Sequence, residues 1–179
     1  GPLLGKRPNG YISFMYAMTP YLKQKDNVLA VRIDHSRHAD SRWYTGSGIY
    51  RDVWMIEAGD VHFDLWGVGW STPEVSEKKA IISVDAKIVN HASSKDQYIL
   101  SATLYDNDGT KVANTVKDVS KEVAGATVSK LLMKVNKPKL WHLDSPYLYT
   151  LECELLTNGK TIDKTKTRVG FRWFDFDSD

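Results

Sequence analysis

The residues best suited to chemistry lie in one short stretch, residues 41–53, which reads SRWYTGSGIYRDV. It sets Trp43, Tyr44 and Tyr50 among Arg42, Arg51 and Asp52, around Gly46 and Gly48. The polar run DHSRHAD, residues 34–40, leads into it, and Asp34 and Asp40 bracket that run. Aromatic faces flanked by guanidinium and carboxylate groups suit a sugar, whose C–H faces are apolar and whose rim is dense with hydroxyls. On that reading the candidate contacts are the rings of Trp43 and Tyr44, the guanidinium of Arg42, and the carboxylates of Asp34 and Asp40. A plainer role fits the same residues: Trp43, Tyr44, Ile49 and Tyr50 pack at a sandwich edge while Arg51 pairs with a carboxylate. Composition leaves both open.

Other chemistries find less support. Hydrolysis of a glycoside with retention needs two carboxylates about 5–5.5 Å apart on rigid elements, with separated pKa values. Here the acidic residues are scattered, and Asp106 and Asp108 sit in a DNDG run where Asp serves the turn. The histidines, at 35, 38, 62, 91 and 142, show no i, i+4 helical pairing. His35 and His38 read as solvated loop residues, and His142 as a packing or hydrogen-bonding group. Cys153, the one cysteine, stands in LYTLECELL and reads as a core thiol. No GxSxG, GxGxxG, P-loop or HExxH motif occurs. The chain is therefore expected to carry no catalytic residue, no metal site and no cofactor.

The elements that position these residues are read as strands. Residues 11–16, 28–33 and 52–57 have β-like patterns, with a Thr-Pro turn at residues 19–22. Ala58, Gly59 and Asp60 mark a boundary. Beyond it, strands are expected at 61–68, 80–90, 98–105, 111–118, 127–135, 147–156 and 160–169, with a loop at 71–79. Residues 61–66 should alternate His62, Asp64 and Trp66 against Val61, Phe63 and Leu65. Seven short strands with turn signals between them, and no helical period, predict an all-β fold: an immunoglobulin-like antiparallel β-sandwich. The strands before residue 59 have no partner sheet of their own and read as the C-terminal strands of another domain whose remainder is missing.

Composition narrows the partners. The 179 residues, 42% hydrophobic, can build a sizeable core. A net charge of +2, from 24 basic and 22 acidic residues spread along the chain, offers no basic face for nucleic acid. No apolar run reaches the roughly 18–20 residues needed to span a bilayer, and no signal-peptide pattern opens the chain.

Three motifs then carry a family resemblance. Residues 4–55, from LGKRPNGYISF to SRWYTGSGIYRDVWM, resemble the end of the sugar-binding jelly roll of glycoside hydrolase family 2. KPKLWHLDSPYLYTLECEL is similar to the P-x-L-W and S-P-x-L-Y signature of that family's immunoglobulin-like middle domain, and TRVGFRWFDFD resembles the G-F-R link into its catalytic (β/α)8 barrel. The resemblance implies an incomplete jelly roll at 1–58, a sandwich at 59–170 and the first residues of the barrel at 171–179. It implies a retaining, β-galactosidase-like parent whose two catalytic glutamates lie in the barrel, so the chain alone should be inactive. It also implies that the loop before G-I-Y-R reaches the terminal sugar subsite, through Arg42 or Asp40, with Gly46 and Gly48 bending the chain so that Arg42, Trp43 and Tyr44 face the barrel. Arg51 and Asp52 would then hold the loop or an interdomain seam. The implied partners are a β-galactoside or related glycan and, within the polypeptide, the barrel and the rest of the jelly roll; a homo-oligomer fits as well. A bacterial compartment, cytoplasmic or periplasmic, is left open. The alternative is a free-standing carbohydrate-binding or interaction module using Trp66, Trp70 or Trp141.

Overall fold

In the computed structural model, which describes residues 1–36, 46–92, 96–119 and 125–174, the chain divides into two compact units, Gly1–Trp54 and Met55–Asp179. The seven strands found among the described residues all belong to the second: β1 (Val61–Val75), β2 (Lys79–Asn90), β3 (Tyr98–Tyr105), β4 (Lys111–Val119), β5 (Gly125–Asn136), β6 (Tyr149–Thr157) and β7 (Lys160–Val169). They form two antiparallel sheets, β1-β2-β5 and β4-β3-β6-β7. The all-β, immunoglobulin-like sandwich expected from the sequence is the fold observed.

Period-two patterning builds the core. On β2, Ile82, Val84, Ala86 and Ile88 point inward, and they join Leu100, Ala102 and Leu104 of β3 and Leu151, Cys153 and Leu155 of β6 in one cluster. Each large aliphatic side chain buried this way contributes about 1.5–3 kcal/mol. The Cys153 thiol, as expected, is buried, and that burial pushes its pKa up to about 12. Side chains also close the open edges between sheets: the Phe63 amide donates to the Asp163 carboxylate at 2.7 Å, and Lys117 Nζ donates to the Lys130 carbonyl at 3.2 Å. Backbone groups that would otherwise template a further strand are thereby occupied.

Turn chemistry follows the sequence. Asp106 Oδ1 accepts from the amides of Asp108 and Thr110, which ties the β3–β4 turn. Asn158 and Gly159 take φ of 50° and 74° between the paired Thr157 and Lys160, a two-residue hairpin turn whose twist suits its strands.

Three expectations need correction. The loop expected at 71–79 shrinks to 76–78, because β1 runs on to Val75 and β2 starts at Lys79. β1 absorbs Pro73 between Ser71 and Glu74, where three of its steps oppose two on β2. An edge strand tolerates proline at such a bulge. The alternation expected through Trp66 breaks after Phe63: between the pairs Phe63↔Ile88 and Val68↔Ala86, five steps on β1 oppose two on β2. Trp66 lies inside this irregularity with φ of 54°, a conformation that costs an L-residue roughly 1–2 kcal/mol. Finally, no strand forms at 11–16, 28–33 or 52–57. Among the described residues before Val61 the only regular element is a 3-10 turn, Thr19–Tyr21, with Pro20 in its opening positions and no side-chain cap. A strand exists only with a partner to bond, and among the described residues these segments have none.

Candidate functional site

The loop singled out in the sequence is described only at its two limbs. Asp40, Arg42, Trp43 and Tyr44 all lie outside the described residues. On the entry limb Asp34 Oδ1 accepts from the Ser36 hydroxyl at 2.6 Å and from its amide at 3.1 Å, and these bonds hold the carboxyl below its usual range. Arg32 Nη2 stands 3.5 Å from the other oxygen. Asp34 is thus engaged in starting the loop. On the return limb Gly48 takes φ of 140°, and the Arg51 guanidinium lies over the Tyr50 ring at 5.2 Å. Ile49, Tyr50, Val53 and Trp54 are exposed. The plainer reading put Ile49 and Tyr50 at a sandwich edge; both side chains are exposed in this structure, and Arg51 stacks on the Tyr50 ring.

The two later motifs meet in space. Residues 137–149 cross the end of the sandwich and are pinned to the chain's exit from it. Leu140 forms a parallel bridge with Phe171, and the Trp141 amide donates to the Phe171 carbonyl at 2.8 Å. The Phe171 ring is fully buried and packs edge-on against Tyr149, which packs edge-on in turn against Tyr147. The Tyr149 hydroxyl accepts from the Lys139 amide at 2.8 Å, and burial raises its pKa. Lys139 Nζ lies 4.6 Å from the centre of the Tyr147 ring. A Cβ on Gly170 would stand 3.2 Å from Leu148 and 3.3 Å from Trp141, so the close approach of exit strand and crossing segment favours glycine. Arg172 then lies 5.0 Å from the ring centres of both Trp141 and Phe174. His142 belongs to this segment: its amide and that of Ser145 each donate to the other's carbonyl, and its Nδ1 accepts from the Asp144 amide at 3.3 Å. Sequence spacing flagged the P-x-L-W, S-P-x-L-Y and G-F-R runs separately; their convergence, and the parts played by Tyr149, Lys139 and Gly170, depend on strand order.

The outer face of the four-stranded sheet carries a sunken carboxylate, which the sequence reading missed. Glu152 pairs in register with Lys166, and its Oε2 stands 2.8 Å from Lys166 Nζ and 3.9 Å from Lys164 Nζ. The Lys166 bond, aided by the charges of both lysines and outweighing burial, lowers its pKa. It lines a concavity of about 310 Å³ with Tyr105, Asp106, Asn107 and Thr150. A carboxylate held ionised by two ammonium groups cannot deliver a proton near neutral pH, so this group is suited to binding or bracing and not to general-acid work. Its neighbour Glu154 accepts from the Thr161 hydroxyl at 3.1 Å. His62 Nδ1 lies 2.7 Å from the Gly59 carbonyl, and its ring centre 6.2 Å from that of His91. Among the described residues, no group of three or more His, Cys, Asp or Glu could hold a metal ion, and no helix is long and apolar enough to cross a membrane.

Comparison with known proteins places this arrangement. The chain is 40% identical to β-galactosidase BoGH2A of Bacteroides ovatus over 179 residues, covering 99% of this chain and 21% of that protein. A solved β-glycosidase from Bacteroides vulgatus superposes with a TM-score of 0.80 at 32% identity, over 97% of this chain and 21% of that one. A Bacteroides uniformis β-glucuronidase superposes with a TM-score of 0.68 at 33% identity, over 73% of this chain and 17% of that one. The chain thus spans about a fifth of the length of these relatives. The profile of glycosyl hydrolases family 2 matches residues 69–172, from the far half of β1 to the exit clamp. With that match over most of the sandwich, the chain belongs to glycosyl hydrolases family 2.

Proposed function

We propose that this chain is a non-catalytic segment of a retaining family 2 glycoside hydrolase with β-galactosidase specificity, and that it scaffolds the catalytic barrel and lends it a substrate-contacting loop. Residues 1–58 are the end of a sugar-binding jelly roll, 59–170 the sandwich, and 171–179 the first residues of the barrel. The observation that carries this reading is the exit clamp. Phe171, Tyr149, Gly170 and the Trp141–Arg172 stack hold the departing chain on a packed end of the sandwich, which is what a support for a following domain requires. The 40% identity to a protein named a β-galactosidase supports the substrate class. Arg42 or Asp40, with Trp43 and Tyr44, contacts the terminal sugar, and the glycan is the partner of the whole enzyme.

The experiment has two arms. The isolated chain, incubated with a chromogenic aryl β-galactoside, should show no turnover; authentic hydrolysis sinks the non-catalytic reading. In the full-length enzyme, Arg42→Ala should lower kcat/KM by the worth of a charge-assisted hydrogen bond, about 1.5–3 kcal/mol. An unchanged value moves the contact to Asp40. The similarity to a β-glucuronidase supplies the rival specificity, and a full-length enzyme that prefers the aryl β-glucuronide replaces β-galactosidase with it.

A further inference from the structure

Trp66 is held in a way that packing of the sandwich does not require. It is 73% exposed, and it takes φ of 54°, a region bulky L-residues rarely adopt. The bulge that puts it there is braced. A Cβ on Gly67 would meet the Asp64 carbonyl at 2.7 Å and the Lys87 carbonyl at 2.9 Å, so only glycine lets the chain pass. Asp64 Oδ1 accepts from the Leu65 amide at 2.9 Å, and Asp64 Oδ2 stands 2.6 Å from Lys87 Nζ. That ion pair ties the bulge to β2 and lowers the Asp64 pKa. Backbone strain is therefore maintained by neighbouring residues while the indole it displays stays in water. Strain of this kind collects where a side chain must be presented to a ligand.

We propose that Trp66 is a glycan-stacking position on the sandwich, additional to the loop at residues 41–53. The surroundings select the ligand class. Leu65, Gly67 and Val68 are half-buried, so the exposed apolar surface of this bulge is a single ring. A protein interface needs a contiguous apolar core within an area of about 800 Å² per partner, which one ring does not supply. A pyranose needs one flat apolar face beside hydrogen-bonding groups, and the bulge that carries the ring also carries the Asp64–Lys87 ion pair. The inference rests on the reading that the whole enzyme acts on glycans. It adds that the sandwich itself grips a polymeric substrate.

The test is native electrophoresis of the 179-residue chain in gels containing soluble β-1,4-galactan and, in parallel, hydroxyethyl cellulose. The chain should be retarded by at least one. Trp66→Asn, which suits the positive φ, should weaken retardation about tenfold or more, as loss of one aromatic anchor does, while its urea unfolding midpoint stays at or above that of the parent chain. Trp66→Tyr should keep part of the retardation and guards against misreading a folding defect. No retardation of the parent chain by either polysaccharide overturns the proposal, as does Trp66→Asn retardation within about twofold of the parent, well short of an anchor's worth. So does an unfolding midpoint that falls in Trp66→Asn and Trp66→Tyr alike, since the indole is then a packing residue. In the full-length enzyme Trp66→Asn should leave kcat/KM on a small aryl β-galactoside unchanged, so this inference and the substrate-loop reading fail on different measurements.

Discussion

Two stretches of similar composition end in opposite environments. VLAVRI at 28–33 and IISVDAKI at 81–88 are both β-branched runs of strand length. The second is the centre of β2, bonded to β1 on one side and β5 on the other, with Ile82, Val84 and Ala86 fully buried. The first forms no strand, and Val28, at 90% exposure, is nearly as open as a side chain in an unfolded segment. Leu29, Val31 and Ile33 are exposed as well. Strand propensity measures fit to a pleated, half-buried surface and supplies no surface of its own. Among the described residues, unit Gly1–Trp54 leaves apolar side chains of a strand pattern uncovered; Tyr11, Phe14, Tyr50 and Trp54 are exposed as well.

This contrast can be broken experimentally. The largest effect should come from limited proteolysis, which acts on backbone that opens at low cost. Brief trypsin treatment should cut within residues 1–54 and leave a resistant fragment that begins at Asp52, after cleavage at Arg51. Protection of 1–54 equal to that of the sandwich would erase the contrast. Next, Leu151→Ala, at a fully buried β6 position, should cost about 2–5 kcal/mol in urea unfolding. Val28→Ala should cost less than about 0.5 kcal/mol. Comparable losses would mean that both units share one core.

Smaller effects sharpen the picture of the sandwich. Tyr149→Phe removes the hydroxyl that accepts from the Lys139 amide and should cost about 0.5–1.5 kcal/mol. It should also loosen the exit clamp, read as faster hydrogen exchange at Trp141. The smallest effect is the pH dependence from Glu152. Its folded pKa is lowered, so its contribution is full above the unfolded value near 4.5 and is lost as pH falls through the folded value. Glu152→Gln should lower stability slightly at neutral pH and flatten the acid limb, so that the two curves converge as pH falls below about 4.5. An acid limb of unaltered slope would show that the lysines of β7 do not act on this carboxylate.

The seven strands could be read from the sequence because each rests on local information. Residues 80–90 alternate apolar and polar side chains, Asp106 and the Asn158–Gly159 pair encode tight turns, and Tyr149, Leu151, Cys153 and Leu155 recur at period two. Family membership was legible for a related reason, since P-x-L-W, S-P-x-L-Y and G-F-R are short linear runs. What tertiary structure decided was every feature that needs a partner distant in the chain. A local reading puts Pro73 in a loop, yet an edge position with a bulge accommodates it within β1. Trp66 belongs to a regular alternation until pairing with β2 forces extra residues into β1. Gly170 is an ordinary glycine until Trp141 and Leu148 pack against it. The strands expected at 28–33 and 52–57 are absent because hydrogen bonds between strands join residues far apart, and periodicity within a segment carries no information on whether the other strand is there.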